Sequence, residues 1–178
     1  LLMTDDMRWD QMEALHSTLG NNMPRTLQEV RQSGIEFTSA YATTPLCCPS
    51  RATVLNGRYA HNHPVHNNGL PNVLVPDGGA AAFPDGSTLA TALQAAGYRT
   101  GLVGKYLNLY NQLWSNGQPP YVPPGWTDWY AMKANNYYNY HLVEMSPGSA
   151  PTEVHYGTTA ADYSTDVLRE KAKNIIVS

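Results

Sequence analysis

Apolar positions along the chain change their spacing several times, and each change marks an element. Leu1-Leu2-Met3-Thr4 runs straight into Asp5-Asp6, which predicts the end of a buried strand stopping at two carboxylates. From Asp10 to Leu19 the apolar residues Met12, Leu15 and Leu19 recur at helical spacing, and Gly20-Asn21-Asn22 predicts the stop. Ile35 to Ala42 alternates like a short strand. Pro45 then breaks the chain, and Pro49 stands in the first turn of a helix predicted to run through Ser50-Arg51-Ala52-Thr53-Val54-Leu55 to Gly57. Cys47 is thereby placed just ahead of a helix N-terminus, where backbone N–H groups gather and favour an anion.

From Arg58 to Asp85 the chain turns to His, Asn, Pro and Gly, the composition of a long irregular loop. Ser87 reads as the N-cap of a helix over Thr88 to Ala96, with Gly97 ending it. Tyr98 to Gly104 reads as the next strand, with Lys105 at its C-terminal end. A second irregular stretch, Tyr106 to Thr127, precedes an outer strand at Asn136 to Val143, and Asp162 to Ile176 closes the chain as an amphipathic helix. This alternation predicts an α/β fold with a mostly parallel central sheet and helices on both faces. Ligands of open α/β sheets bind beyond the C-terminal ends of the strands. Asp5, Asp6, Cys47 and Lys105 all fall at such ends or on the loops leaving them.

The length, 178 residues, suits one domain with a sizeable core. Charged residues make up 14%, well under the usual share of about 25%. Asn, Gly, Pro and 12 Tyr must therefore supply the surface, and neutral amides with flat rings suit sugars better than nucleic acid. A net charge of −3 leaves no basic footprint for a phosphate backbone, so no nucleic-acid partner is expected. No apolar run reaches the roughly 18 residues of a membrane span. The two Cys are adjacent and make no disulfide framework. Opening on Leu1-Leu2-Met3 and closing on Asn174-Ile175-Ile176-Val177-Ser178, residues 1–178 read as the N-terminal part of a longer catalytic domain.

The run Cys47-Cys48-Pro49-Ser50-Arg51 carries the pattern Cys-x-Pro-Ser-Arg, and on it the chain resembles the type I sulfatases, which have the alkaline-phosphatase-like fold. The resemblance implies that a formylglycine-generating enzyme oxidises Cys47 to formylglycine, an aldehyde that hydrates to a geminal diol and serves as the nucleophile. Cys48, at the variable position, is then a bystander. It further implies that Asp5, Asp6 and the modified Cys47 hold Ca²⁺ or Mg²⁺, that Arg51 holds the diol, and that Lys105 contacts the sulfate oxygens of the substrate. Further stretches, Tyr59-Ala60-His61-Asn62-His63, Gly104-Lys105-Tyr106-Leu107-Asn108, Tyr137-Tyr138-Asn139-Tyr140 and Tyr163-Ser164-Thr165-Asp166-Val167-Leu168, resemble N-acetylglucosamine-6-sulfatases and the extracellular heparan endosulfatases. That implies a sulfated carbohydrate substrate, with removal of 6-O-sulfate from glucosamine-type sugars of heparan or keratan sulfate.

Two departures accompany the resemblance. Leu107 stands where many sulfatases have a His, and the family's later Asp-Asn metal ligands, Lys and His are expected beyond Ser178. The alternatives are an arylsulfatase, a phosphonate or phosphodiester hydrolase of the same superfamily, or a carbohydrate-binding relative without turnover. Taken singly, the residues have plainer explanations: vicinal Asp pairs sit in turns, and Lys105 and Arg51 are solvated cations. His61, His63 and His66 lack a thiolate or carboxylate at zinc-finger spacing and read as loop surface. Tyr137, Tyr138, Tyr140, Trp126 and Trp129 read as packing before sugar stacking. The chain has many Asn but no Asn-x-Ser/Thr sequon, which points to a bacterial source and a periplasmic or secreted location, or a lysosomal one if the source is an animal.

Overall fold

Four short segments rich in aromatic and β-branched residues pair into one sheet: β1 (Gly101–Gly104), β2 (Asp128–Met132), β3 (Tyr140–Met145) and β4 (Thr152–Tyr156), in that spatial order. The computed structural model describes residues 1–7, 23, 25–69 and 78–178, and the chain divides into two compact units, Leu1–Ala42 and Thr43–Ser178. β1 and β2 run parallel, while β2–β3 and β3–β4 are antiparallel. The α/β class stands, and within this four-stranded sheet β1–β2 is the parallel pair. β2 and β4 are strands that the hydrophobic pattern does not announce. β3 starts later than expected and lies between them, so it is an interior strand of this sheet rather than an outer one.

Strand alternation assigns the two faces of the sheet. On one, Trp129, Ala131 and Val143 are fully buried and join Tyr106, Tyr110 and Phe83 in the main apolar cluster. The rings meet edge to face, Tyr106 to Trp129 at 5.0 Å and Tyr110 to Trp129 at 5.7 Å, the geometry their quadrupoles favour. Trp129 Nε1 donates to Tyr110 Oη at 2.8 Å, and that hydroxyl donates to the Tyr121 carbonyl. Burial pushes the Tyr110 and Tyr106 phenols up, so both stay neutral. The other face carries Tyr130 and Glu144. There Lys171 bonds Glu144 at 2.5 Å and lies 4.8 Å from the centre of the Tyr130 ring.

Among the described residues the second unit has three α-helices, α1 (Cys47–Asn56), α2 (Leu89–Ala95) and α3 (Ser164–Val177). Thr88, one residue after the expected cap, receives the Thr91 N–H at 3.2 Å, and Thr91 Oγ1 returns the bond to the Thr88 N–H at 2.9 Å. α3 packs on β1 and β2, and Gly101 permits the approach: a Cβ there would meet Ile175 at 3.0 Å. Beneath that contact, Arg99 holds the buried carboxylate of Asp128 with two bonds of 2.7 and 3.0 Å.

In the unit Leu1–Ala42, a π-helical turn spans Thr26–Arg31, and Arg31 pairs with Glu36 at 2.9 Å. The two predicted strands do not form here. Leu1 to Thr4 has no ladder bonds among the described residues, and Ile35 to Ala42 is exposed coil with a turn, Ile35 itself 84% exposed. Alternation alone makes no strand unless a neighbour pairs with its backbone. The helix expected over Asp10 to Leu19 lies outside the described residues.

Candidate active site

Cys47 opens α1. With Leu46 extended as the N-cap, Cys47, Cys48 and Pro49 occupy the first three helical positions, and Ser50 N–H to the Leu46 carbonyl at 3.0 Å is the first ladder bond. Cys47 thus belongs to the first turn rather than preceding it. Pro49 is tolerated because an N–H at this position has no partner within the helix. Gly57, with a φ of 67°, ends α1 in the left-handed conformation that glycine adopts without strain.

The helical twist separates the two thiols. Cys47 is half-buried, whereas Cys48 is 0% exposed and belongs to the apolar core. Burial pushes the Cys48 thiol up to about 11, although the positive charges of Lys105 and Arg51 pull the other way. Cys48 is therefore a neutral packing group, and Cys47 is the accessible sulfur of the pair. The Cys48 backbone N–H, an orphan donor of the first turn, is satisfied by Asn68 Oδ1 at 2.8 Å. Asn67 Oδ1 in turn accepts from Gly69 N–H at 2.8 Å. Asn67-Asn68-Gly69 is a turn signal in sequence, but nothing local says that its side chain reaches a helix 20 residues upstream.

Arg51, one turn beyond Cys47, donates from Nη1 to the Lys105 carbonyl at 2.7 Å. That bond ties the first turn of α1 to the end of β1, where Lys105 leaves the sheet. Lys105, 54 residues beyond Arg51, joins Cys47 and Arg51 in acting on the Cys48 thiol, so the three share one neighbourhood. The Asn108 backbone carbonyl accepts from Ala80 N–H at 2.8 Å and fastens the segment after Lys105 to a 3₁₀ turn, Ala80–Ala82. Asp5 and Asp6 belong to the other unit. Both are exposed, and Asp6 has a φ of 54°, the left-handed conformation that Asp tolerates better than most residues. Their adjacent carboxylates are the hard oxygen donors that Ca²⁺ or Mg²⁺ takes, so the donor chemistry fits such an ion.

Of the three histidines read as loop surface, His61 and His66 are exposed, but His63 is 3% exposed. Its Nε2 meets Thr53 Oγ1 at 3.0 Å, and its Nδ1 accepts from Val65 N–H at 3.3 Å, so the ring pins the loop to α1. Burial and the neighbouring His66 lower its pKa below 6.5. The unfolded chain therefore binds a proton that the folded chain refuses between 6.5 and that lowered value. Stability falls as pH drops through this window, by at most about 1.4 kcal/mol per pH unit. Melting curves from pH 7.5 to 5.5 will show this slope, and His63→Asn will flatten it. Among the aromatics considered for sugar stacking, Trp129 and Tyr140 are buried packing groups, while Tyr137 is 67% exposed and stacks on Tyr163.

A cysteine in the first turn of a helix, an arginine one turn on and a lysine at a strand end are thus brought together beside an α/β sheet. The sulfatase family profile matches residues 1–178 throughout, and the chain belongs to that family. It is 45% identical over 143 residues to a protein of Drosophila melanogaster named extracellular sulfatase SULF-1 homolog, covering 80% of this chain and 11% of that one. Human N-acetylglucosamine-6-sulfatase is 36% identical over 171 residues, 94% of this chain and 29% of its own length. An arylsulfatase of Volvox carteri is 35% identical over 176 residues, 97% of this chain and 24% of the alga's protein. The chain spans less than a third of the length of each of these relatives. All three are eukaryotic and lend no support to a bacterial source. No solved structure matches the chain significantly. Among the described residues no helix is long and apolar enough to cross a membrane.

Proposed function

We propose that this chain forms the nucleophile-bearing part of a sulfuric ester hydrolase whose substrate is a 6-O-sulfated glucosamine-type sugar, with Cys47, as formylglycine, attacking sulfur. The observation that supports it best is the bond from Arg51 to the Lys105 carbonyl at 2.7 Å, which holds two cations beside the accessible cysteine at the start of α1. The relatives named for N-acetylglucosamine-6-sulfate and for extracellular sulfatase activity support the substrate class and a location outside the cytosol.

Hydrated formylglycine at position 47 has two hydroxyls. One would attack the sulfur, its proton passing to the departing sugar oxygen, and leave sulfate bound to the side chain. The other would then lose its proton, re-form the carbonyl and expel sulfate, which a thiol or a serine hydroxyl lacks the second oxygen to do. Arg51 orients the diol, and Lys105 donates to the sulfate oxygens as charge shifts onto them. Asp5 and Asp6, with the side chain at 47, would hold Ca²⁺ or Mg²⁺, which supplies positive charge that favours the ionised nucleophile. The first turn of α1 adds its dipole to the same end.

Peptide mass spectrometry tests this directly. In the complete protein co-expressed with a formylglycine-generating enzyme, the tryptic peptide ending at Arg51 is expected to lose about 18 Da, the change from a CH₂SH to a CHO side chain. A peptide of unchanged mass under those conditions removes the nucleophile from the proposal.

A further inference from the structure

The core-facing side of the sheet continues at its β3–β4 end into a polar patch that none of the steps above uses. His141 and His155 are directly opposed across these antiparallel strands, both exposed, with ring centroids 4.7 Å apart and planes tilted by 38°. Opposed residues carry their Cβ atoms roughly 5 Å apart, a spacing from which two imidazoles can converge on one ion. His155 is also prepared for that task. Its Nε2 lies 2.9 Å from Asn139 Oδ1, and since a carbonyl oxygen only accepts, Nε2 carries the proton and Nδ1 the lone pair. Metal-ligating histidines are fixed in this way, by donating the second ring N–H to a carbonyl.

Asn139 is itself held in place. It has a φ of 51°, and its N–H donates to the Gly157 carbonyl at 2.7 Å. Carboxylates flank the pair: Glu153, on the same face as His155, interacts with His141, and Asp162 interacts with His155. Glu153 is committed to Lys133 at 2.7 Å and Trp114 Nε1 at 3.1 Å, so it contributes field rather than a ligand atom. We propose that His141 and His155 form a two-imidazole site for a borderline transition-metal dication, Zn²⁺ or Cu²⁺, that clasps β3 to the outer strand β4. Water completes the coordination. Its nitrogen donors set it apart from the hard-oxygen pair Asp5 and Asp6, so Ca²⁺ and Mg²⁺ do not compete for it.

Calorimetric titration of Cu²⁺ and Zn²⁺ into the complete protein, with Ca²⁺ present throughout, tests the proposal, and the Cu²⁺ complex is read by electron paramagnetic resonance. One Cu²⁺ equivalent with nitrogen hyperfine coupling is expected, bound more tightly than Zn²⁺ as the order of metal affinities requires. His141→Gln and His155→Gln should each weaken binding at least tenfold, and Asn139→Ala roughly tenfold through the loss of the tautomer lock. Zn²⁺ should raise the melting temperature, and the rise should vanish in the double Gln variant. The residues are exposed, so the metal-free melting temperature of that variant should match the parent. His61→Gln with His66→Gln should leave the affinity unchanged. Equal affinity in the double Gln variant of His141 and His155, or a loss that follows His61 and His66 instead, overturns the assignment.

Discussion

Cys47→Ala will abolish sulfate ester hydrolysis by the mature complete protein, with kcat/KM on a 6-sulfated N-acetylglucosamine substrate falling on the order of 10³-fold or more. Alanine leaves no hydroxyl for attack on sulfur, and the adjacent thiol of Cys48 cannot replace it, because it is buried and its pKa is pushed up to about 11, which keeps it neutral near pH 7. Cys48→Ala is the matched control and should keep turnover within a few-fold. Cys47→Ser separates chemistry from binding: a single hydroxyl can accept sulfate but not expel it, so the enzyme should stop after one turnover, with label from a ³⁵S-sulfated substrate retained on the protein. Turnover by Cys47→Ala at the parental rate would rule out the proposed nucleophile.

Trp129→Ala will cost about 3–5 kcal/mol of stability, the usual range for an aromatic side chain removed from a core. The indole is 0% exposed, and rings of Tyr106, Tyr110 and Trp126 lie within 5.7 Å of it, centre to centre. Its removal also takes the Nε1 donor from the Tyr110 hydroxyl. β2 is the strand through which β1 joins β3, so the loss should reach the end of β1 that carries Lys105. Urea unfolding gives the magnitude. Trp129→Phe, which keeps most of the ring volume and loses the N–H, should recover more than half of the loss. A change below 1 kcal/mol in Trp129→Ala would mean that the ring cluster does not carry this core.

The chemistry-bearing end of α1 was legible because its signals are local. A proline at the third helical position and a glycine after the end mark the helix that carries Cys47 and Arg51, and the twist of one turn brings Arg51 back above Cys47. α2, β1 and α3 were legible for the same reason, to within a few residues at their boundaries. β2 and β4 were not. Asp-Trp-Tyr-Ala-Met and Thr-Glu-Val-His-Tyr show little clean alternation, because one strand is covered on both faces and the other is an outer strand. Ile35 to Ala42 errs in the opposite direction, having the alternation of a strand but no paired neighbour.

By itself the sequence determined which atoms are available for chemistry: a Cys-x-Pro-Ser-Arg run at a helix start, a lysine after a strand and a pair of aspartates. Only the tertiary structure decided which of two adjacent cysteines faces outward, that Asn68 caps the first turn, that His63 is a core residue, and that His141 and His155 stand opposite each other. The division has a physical basis. Residue chemistry and helix punctuation act over three or four positions, whereas burial and strand register are set by partners tens of residues away, whose placement no local pattern encodes.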